Sequence, residues 1–217
     1  MYQLTKHKFQ VSLGILILFF QIGFIGISIS PAFAVLTPLN LILSFGLLVW
    51  NQASSFRLAL PALFFIFLGA FILEYMGVST GLLFGQYSYG NALGPKLLQT
   101  PILIGLNWIL VVYSSIQVVQ WIGLRFKIKF PELLAAFLSA LLMVITDYPM
   151  EQICHLLDFW TWKSAVAPIQ NYTAWFFFGF MFCFVAIRYG LHTYNALGPW
   201  YWVVQFIFFA GLNFTLN

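Results

Sequence analysis

Residues 58–76, LALPALFFIFLGAFILEYM, form an apolar segment in which Glu74 is the only charged residue. A helix needs about 20 apolar residues to cross the hydrocarbon core of a bilayer, and this segment has that length. The segment therefore predicts a membrane-spanning helix. An ionisable side chain inside such a helix is costly to bury, so Glu74 is a candidate functional residue.

Six further apolar segments have a similar character. They are residues 9–30, 36–52, 101–122, 131–148, 173–191 and 199–214. Hydrophobic residues make up 62% of the chain and charged residues 6%, whereas about a quarter of the residues in a soluble domain are charged. The composition predicts an all-α polytopic membrane bundle of about seven transmembrane helices, built as a single integral-membrane domain over residues 1–217. The second and last segments are short enough to be tilted or partly embedded.

The first apolar segment has an alternative interpretation as a signal peptide that ends at Ala32-Phe-Ala34. Its apolar run of about 22 residues is longer than the 7 to 15 residues of a typical signal core. We therefore expect it to be retained as the first membrane span.

The basic residues lie between the predicted spans and indicate an orientation. With a cytoplasmic N-terminus, seven of the nine fall on the inner side: Lys6, Lys8, Arg57, Arg125, Lys127, Lys129 and Arg188. Only Lys96 and Lys163 then fall on the outer side, and this excess of basic residues inside is typical of membrane proteins. We expect a multi-pass protein of the cell's inner, cytoplasmic membrane. The basic residues form no patch for nucleic acid, so no nucleic-acid partner is expected.

Glu74 stands at the start of the first polar loop, residues 74–100, on the predicted outer side. One interpretation is an interfacial acid whose carboxyl group extends into water. The other is a carboxylic acid in an apolar pocket, where burial disfavours the charged form and the group holds a proton. Tyr75, Tyr87 and Tyr89 could donate hydrogen bonds to it.

Asp147 and Glu151 begin the second polar loop, residues 147–172, on the same predicted side. If helical, their spacing of four places both carboxyl groups on one helix face. Two acids so close would leave one neutral and one charged, as an acid and a base that share a site require. The alternative is that Asp147 caps a short helix that starts near Pro149. Asp158 is expected to be a loop acid that pairs with Lys163.

Both loops are rich in residues that can build a pocket. Glycines recur at intervals of four or five residues between Gly77 and Gly94, interrupted by Gln86, Tyr87 and Tyr89. This pattern favours a partly re-entrant loop, which membrane proteins tolerate only where it is buried in protein or lines a cavity. The second loop brings tryptophans next to the acids, and an aromatic face stabilises a nearby cation by roughly 0.5 to 2 kcal/mol.

The motifs of these loops resemble the CruF-type carotenoid 1,2-hydratases and bisanhydrobacterioruberin hydratases, a family of membrane carotenoid-biosynthesis proteins. The first half carries Glu74-Tyr-Met-Gly-Val-Ser-Thr-Gly81, Phe84-Gly-Gln-Tyr-Ser-Tyr89, Leu93-Gly-Pro-Lys96, Pro101 and Asn107-Trp108. The second half carries Asp147-Tyr-Pro149, Trp160-Thr-Trp162, Pro168-Ile-Gln-Asn-Tyr172 and Trp175. One departure from the family pattern is Tyr148, which separates the aspartate from the proline.

The resemblance implies a cofactor-independent hydratase, a lyase that adds water across the terminal 1,2 double bond of an acyclic carotenoid such as lycopene. In that case Asp147 would donate the proton, and Glu74 or Glu151 would activate the water. The residues expected to shape the pocket for the isoprenoid end group are Tyr87, Tyr89, Trp108, Trp160, Trp162, Asn171 and Trp175. Neither a metal nor another cofactor is expected. The expected partners are the lipophilic carotenoid, membrane lipid and other carotenoid-biosynthesis enzymes.

Two other functions remain open at the level of the sequence. A carotenoid end-group cyclase or isomerase begins with the same protonation, and only access of water to the site distinguishes it from a hydratase. A small-solute membrane transporter also carries acids at membrane depth, but it would need a polar path through both leaflets. The inner halves of the predicted spans are almost purely apolar.

Overall fold

The computed structural model describes residues 2–52, 56–189, 191 and 193–216, and for residues 2–6 and 56–58 it describes the backbone alone. Within this part of the chain there are seven α-helices. They are α1 (Tyr2–Ile29), α2 (Thr37–Asn51), α3 (Phe56–Thr80), α4 (Ile104–Phe126), α5 (Glu132–Glu151), α6 (Ile169–Arg188) and α7 (Leu197–Leu216). A 3₁₀ helix at Pro31–Leu36 joins α1 to α2. The predicted all-α polytopic bundle is confirmed.

The described residues hold six helical segments that are long and apolar enough to cross a membrane: α1, α3, α4, α5, α6, and α2 together with the 3₁₀ helix that precedes it. Their outer surfaces carry large apolar side chains such as Phe64, Leu133 and Ile169, which are 67%, 60% and 80% exposed. Contiguous apolar surface of this extent is rare on soluble monomers and suits contact with lipid. The chain is therefore a multi-pass membrane protein. The last helix, α7, is uncharged and packs against α1 and α4.

Helix α4 lies at the centre of the bundle, where it contacts α2, α3, α5, α6 and α7. Its first half is buried on every side, from Ile104 to Gln117. Because the N-terminal half of α4 is so enclosed, the polar residues Asn107 and Trp108 face protein and not lipid.

Among the helix boundaries that differ from those expected, two bear on the acids. Helix α5 continues through Pro149 to Glu151, so Asp147 is an interior helical residue and not the cap of a new helix. Helix α6 begins at Ile169, four residues earlier than expected, and this places Asn171 in its first turn. The C-terminal end of α5 and the N-terminal end of α6 therefore face each other.

The two polar loops meet in an antiparallel ribbon formed by β1 (Tyr87–Tyr89) and β4 (Trp160–Trp162), which we call the ribbon. Backbone hydrogen bonds of 2.9 Å close it at both ends, from Lys163 to Gln86 and from Gly90 to Phe159. A second short pair, β2 (Lys96–Leu97) with β3 (Thr100–Pro101), precedes α4. The loop predicted to be partly re-entrant thus contributes β1, β2 and β3 to two strand pairs, and the second loop contributes β4.

The second loop approaches the first so closely at Gly90 that no side chain fits there. A Cβ atom on Gly90 would lie 2.1 Å from Oδ1 of Asp158. Asp158 accepts a 2.9 Å hydrogen bond from the backbone N–H of Asn91 through its other oxygen, Oδ2. This bond replaces the expected pairing of Asp158 with Lys163, and it fastens the two loops to each other.

Candidate active site

Three carboxyl groups are buried at the ribbon end of the bundle. The exposed fraction of Glu74 is 4%, that of Asp147 is 1% and that of Glu151 is 5%. Glu74 comes from the last turns of α3, and the other two come from the last turns of α5. Glu74 is therefore not the interfacial acid of the first interpretation, because its carboxyl group does not extend into water.

Glu74 accepts three hydrogen bonds from aromatic side chains. Its Oε2 atom accepts one from the hydroxyl of Tyr87 at 2.5 Å and one from the hydroxyl of Tyr89 at 2.6 Å. Its Oε1 atom accepts a bond from the indole N–H of Trp108 at 2.9 Å. Hydrogen bonds from a hydroxyl to a carboxylate have typical lengths of 2.5 to 2.7 Å, so this surrounding suits a negative charge. The third predicted tyrosine, Tyr75, is 37% exposed.

Both ribbon tyrosines keep their hydroxyl protons. Burial, and next the charge of Glu74, raise the pKa of Tyr87 far above its ordinary value. The same two causes raise the pKa of Tyr89 well above its ordinary value. Raised pKa values favour the protonated hydroxyls, which are the hydrogen-bond donors to Glu74.

Glu151 is held by a second set of donors. Its Oε2 atom accepts hydrogen bonds from the indole N–H groups of Trp162 at 2.7 Å and Trp160 at 3.0 Å. Its Oε1 atom accepts one from the side-chain amide of Asn171 at 2.8 Å. The same amide nitrogen lies 3.4 Å from Oδ2 of Asp147, so Asn171 joins the two carboxyl groups of α5.

Asp147 differs from the two glutamates in its hydrogen bonding. Its Oδ1 atom is fully buried and has no hydrogen-bond partner within the described part of the chain. Asp147 and Glu151 occupy one face of α5, as their spacing predicted. Two carboxyl groups in this arrangement repel each other when both are charged, so such a pair tends to hold one proton between them.

The register of the ribbon explains why four aromatic donors converge on two acids. Tyr87 is paired with Trp162 and Tyr89 with Trp160, while the exposed Ser88 and Thr161 occupy the opposite face. Alternate residues of a strand share one face. The tyrosines donate to Glu74 and the tryptophans donate to Glu151, and their ring centroids lie 5.0 and 6.2 Å apart within the pairs. Each cross-strand pair of the ribbon therefore joins one donor to Glu74 with one donor to Glu151.

A cavity of about 20 Å³, which we call the acid cavity, lies between these groups. Glu74 and Glu151 both line it, together with aromatic side chains that include Tyr87, Trp162 and Trp175. This volume accommodates about one water molecule. Trp175 stacks on Trp108 with ring centroids 4.1 Å apart, so a side chain of the cavity wall rests on one of the donors to Glu74.

All ten residues expected to form the site lie in this one region. Nine of them contact the cavity or donate a hydrogen bond to a glutamate, and Asp147 is linked to the site through Asn171. Asn107, which also lines the acid cavity, was expected only as part of the Asn107-Trp108 motif and not as a site residue. The signal available in the sequence was its position next to Trp108, near the start of a predicted span. Within the described residues, no cluster of three or more His, Cys, Asp or Glu side chains could hold a metal ion.

A comparison with protein-family models identifies the family of the chain. Residues 29–215 match a family model whose description is carotenoid biosynthesis protein. The matched range includes every residue of the site. No curated protein and no solved structure matches the chain.

Proposed function

The chain belongs to the family of carotenoid biosynthesis proteins, and from this membership we propose that it adds water across the terminal double bond of an acyclic carotenoid. The supporting observation is that Glu74 and Glu151, both buried, line one small cavity with aromatic walls. A lipophilic substrate in the membrane fits the exposed apolar surface of the helices. The resemblance of the loop motifs to carotenoid 1,2-hydratases adds the reaction type.

The proposed reaction requires a proton donor, a site that stabilises a cation, and a proton acceptor. An isolated double bond is a weak base, so a positioned carboxylic acid has to deliver the proton. The proton bonds to C2 of the end group, and a tertiary cation forms at C1. The oxygen of water then bonds to C1 and passes one proton to a carboxylate. The sum is one water added to the carotenoid, with neither oxidation nor reduction.

The Asp147–Glu151 pair is the proposed source of the proton. The pair shares one helix face and one amide donor, Asn171, and therefore holds a proton between two carboxyl groups. Glu151 delivers it, because Glu151 lines the acid cavity. The donor role expected of Asp147 alone thus becomes, in this proposal, a role shared with Glu151.

Glu74 is the proposed acceptor of the proton that water releases. Its short hydrogen bonds from Tyr87 and Tyr89 suit a carboxylate that is charged before the reaction. The faces of Trp162 and Trp175, on the wall of the cavity, stabilise the cation between the two proton transfers. Once water has been added, the two glutamates exchange the proton across the cavity that they share.

Expression in a bacterium that makes lycopene tests the proposal. We expect a pigment that is heavier by one water and has an unchanged absorption spectrum, because the conjugated double bonds are not altered. Mass spectrometry of the extracted pigments provides the measurement. An isomer of unchanged mass would contradict water addition and would support the cyclase or isomerase function.

Amide variants of the two glutamates test their roles. General acid–base catalysis contributes about 10²- to 10⁴-fold in rate, so Glu74→Gln and Glu151→Gln should each lower the yield of hydrated pigment by about 10²-fold or more. The matched control is Glu132→Gln, which changes an exposed acid at the start of α5. Full activity of either glutamate variant would show that the replaced glutamate takes no part in the proton transfers.

A further inference from the structure

A second cavity lies directly behind the acid cavity. Its volume is about 50 Å³, enough for a few water molecules, and we call it the rear cavity. Asn107 and Trp160 line both cavities and are the wall that they share. The rear cavity is bounded by side chains of α1, α2, α4, α5 and α7, among them Phe20, Met150 and Gln205.

Several polar side chains interrupt the mainly apolar lining of the rear cavity. Asn40, Ser44, Tyr201 and Gln205 line it in addition to Asn107. Gln205 is 3% exposed, and its Oε1 atom has no hydrogen-bond partner within the described part of the chain. An unsatisfied buried acceptor costs about 1 to 3 kcal/mol. Buried polar cavities large enough for water normally contain it, because water satisfies such groups.

We propose that the rear cavity is a water store, held by Gln205, that supplies the acid cavity through Asn107 and Trp160. This inference rests on the proposed water addition. The acid cavity accommodates about one water molecule, and the carotenoid end group has to occupy that space when it binds. Water stored in the rear cavity stays next to C1 of the cation while the end group occupies the acid cavity.

The store makes Gln205 a residue that determines the product. After protonation, the cation either bonds to a water oxygen or loses a proton to a carboxylate. The first outcome gives the hydrated carotenoid, and the second gives an isomer with the original mass. Water at the rear cavity favours the first outcome. Gln205 acts through this water, so it is a positioning residue.

The ratio of these two products tests the role of Gln205. We expect Gln205→Leu, which removes the polar acceptor at similar volume, to shift the product from hydrated carotenoid to isomer by about 10-fold, while substrate is still consumed. Gln205→Asn, which retains an amide, should restore the hydrated product. The matched control is Gln120→Leu in α4, because Oε1 of Gln120 is also buried without a partner among the described residues. Gln120 lines a different cavity, next to Lys127. An unchanged ratio in Gln205→Leu would overturn the proposal.

A second measurement detects water in the rear cavity without any catalysis. X-ray radiolysis converts bound water to hydroxyl radicals, which oxidise adjacent methionines in the substrate-free protein in membranes. Met150 lines the rear cavity, whereas Met143 on the same helix is 0% exposed and lies 3.6 Å from Sγ of Cys183. We expect faster oxidation of Met150 than of Met143, and a loss of this difference in Gln205→Leu.

Equal oxidation of the two methionines in the unaltered protein would overturn the water store. This result does not depend on the pigment experiment. If the protein yields no hydrated carotenoid but Met150 is still oxidised selectively, the proposed function fails while the water site stands. If hydrated carotenoid forms and Met150 is not oxidised selectively, the proposed function stands and the water store fails.

Discussion

Asn171 is the side chain on which the arrangement of two acids depends. Its amide nitrogen donates to Glu151 at 2.8 Å and lies 3.4 Å from Asp147. Removal of this donor leaves a buried carboxyl group without one of its hydrogen bonds. An unsatisfied buried group costs about 1 to 3 kcal/mol, and a charged group costs more. The consequence is a change in how Asp147 and Glu151 share their proton.

We therefore expect Asn171→Leu to lower the yield of hydrated pigment by about 10-fold or more, since a loss of 1.4 kcal/mol corresponds to tenfold in rate. Pigment analysis at equal protein level in the membrane provides the measurement. Thr173→Val, on the exposed side of the same helical turn, is the control. A yield equal to that of the unaltered protein would show that the Asn171 amide is dispensable.

The two ribbon tyrosines allow a second test at the level of single residues. Each donates one hydrogen bond to the same oxygen of Glu74, and bonds to charged groups contribute about 1.5 to 3 kcal/mol. We expect Tyr87→Phe and Tyr89→Phe each to reduce the rate of hydration by about 10-fold or more. Tyr75→Phe changes the exposed neighbour of Glu74 and should have no effect. Equal rates in all three variants would contradict the role given to Glu74.

At the level of elements, the ribbon closes a cavity that is too small for its proposed substrate. A space of about 20 Å³ accommodates one water molecule and not a branched isoprenoid end group. For the proposed substrate to bind, this space has to widen, and we propose that strands β1 and β4 separate or shift. Three-residue strands with few ladder bonds are suited to this, because short isolated strand pairs are marginally stable.

A disulfide across the ribbon tests this movement. Ser88 and Thr161 are opposite each other and exposed, and the native Cys154 and Cys183 are buried. We expect the double variant Ser88→Cys, Thr161→Cys to lose hydration activity when oxidised and to regain it on reduction. Ser88→Cys alone is the control. Activity that is unchanged by oxidation would mean that the ribbon does not open between these strands.

The sequence predicted the helices better than the contacts between the loops. Long apolar segments identify membrane helices, and the four-residue spacing placed Asp147 and Glu151 on one face as the structure has them. The ribbon was not predicted, because three residues are too few for an alternating pattern to emerge. The hydrogen bond from the backbone N–H of Asn91 to the carboxylate of Asp158 was missed, because a backbone N–H is a donor that nearly any residue provides.

At the level of the whole molecule, charge separates the two ends of the bundle. Glu74, Asp147 and Glu151 lie at the ribbon end together with Lys96 and Lys163, while Arg125, Lys127 and Lys129 lie at the other end of α4. Cytoplasmic loops carry the excess of basic residues. We propose that the ribbon end faces away from the cytoplasm, with the protein in the cytoplasmic membrane and its N-terminus inside.

Thiol labelling with a membrane-impermeant reagent tests this orientation. Ser164 is exposed next to the ribbon, and Lys129 is exposed at the opposite end. We expect Ser164→Cys to react in intact cells and Lys129→Cys to react only after the cells are opened. The unaltered protein is a suitable background, because Cys154 and Cys183 are both buried, and burial, followed by the charge of Glu151, raises the pKa of the Cys154 thiol. The reverse labelling pattern would contradict this orientation and show that the ribbon end faces the cytoplasm.

The pairing of the ribbon also limits how its loops can diverge in length. Insertion of one residue between the two aromatic residues of either strand would turn one of the two rings to the opposite face, because side chains alternate with a period of two. Glu74 or Glu151 would then lose one of its two ribbon donors. Insertions between α4 and α5, at residues 127–131, touch neither acid. Natural length variation should therefore accumulate at that end of the bundle and be absent from both strands of the ribbon.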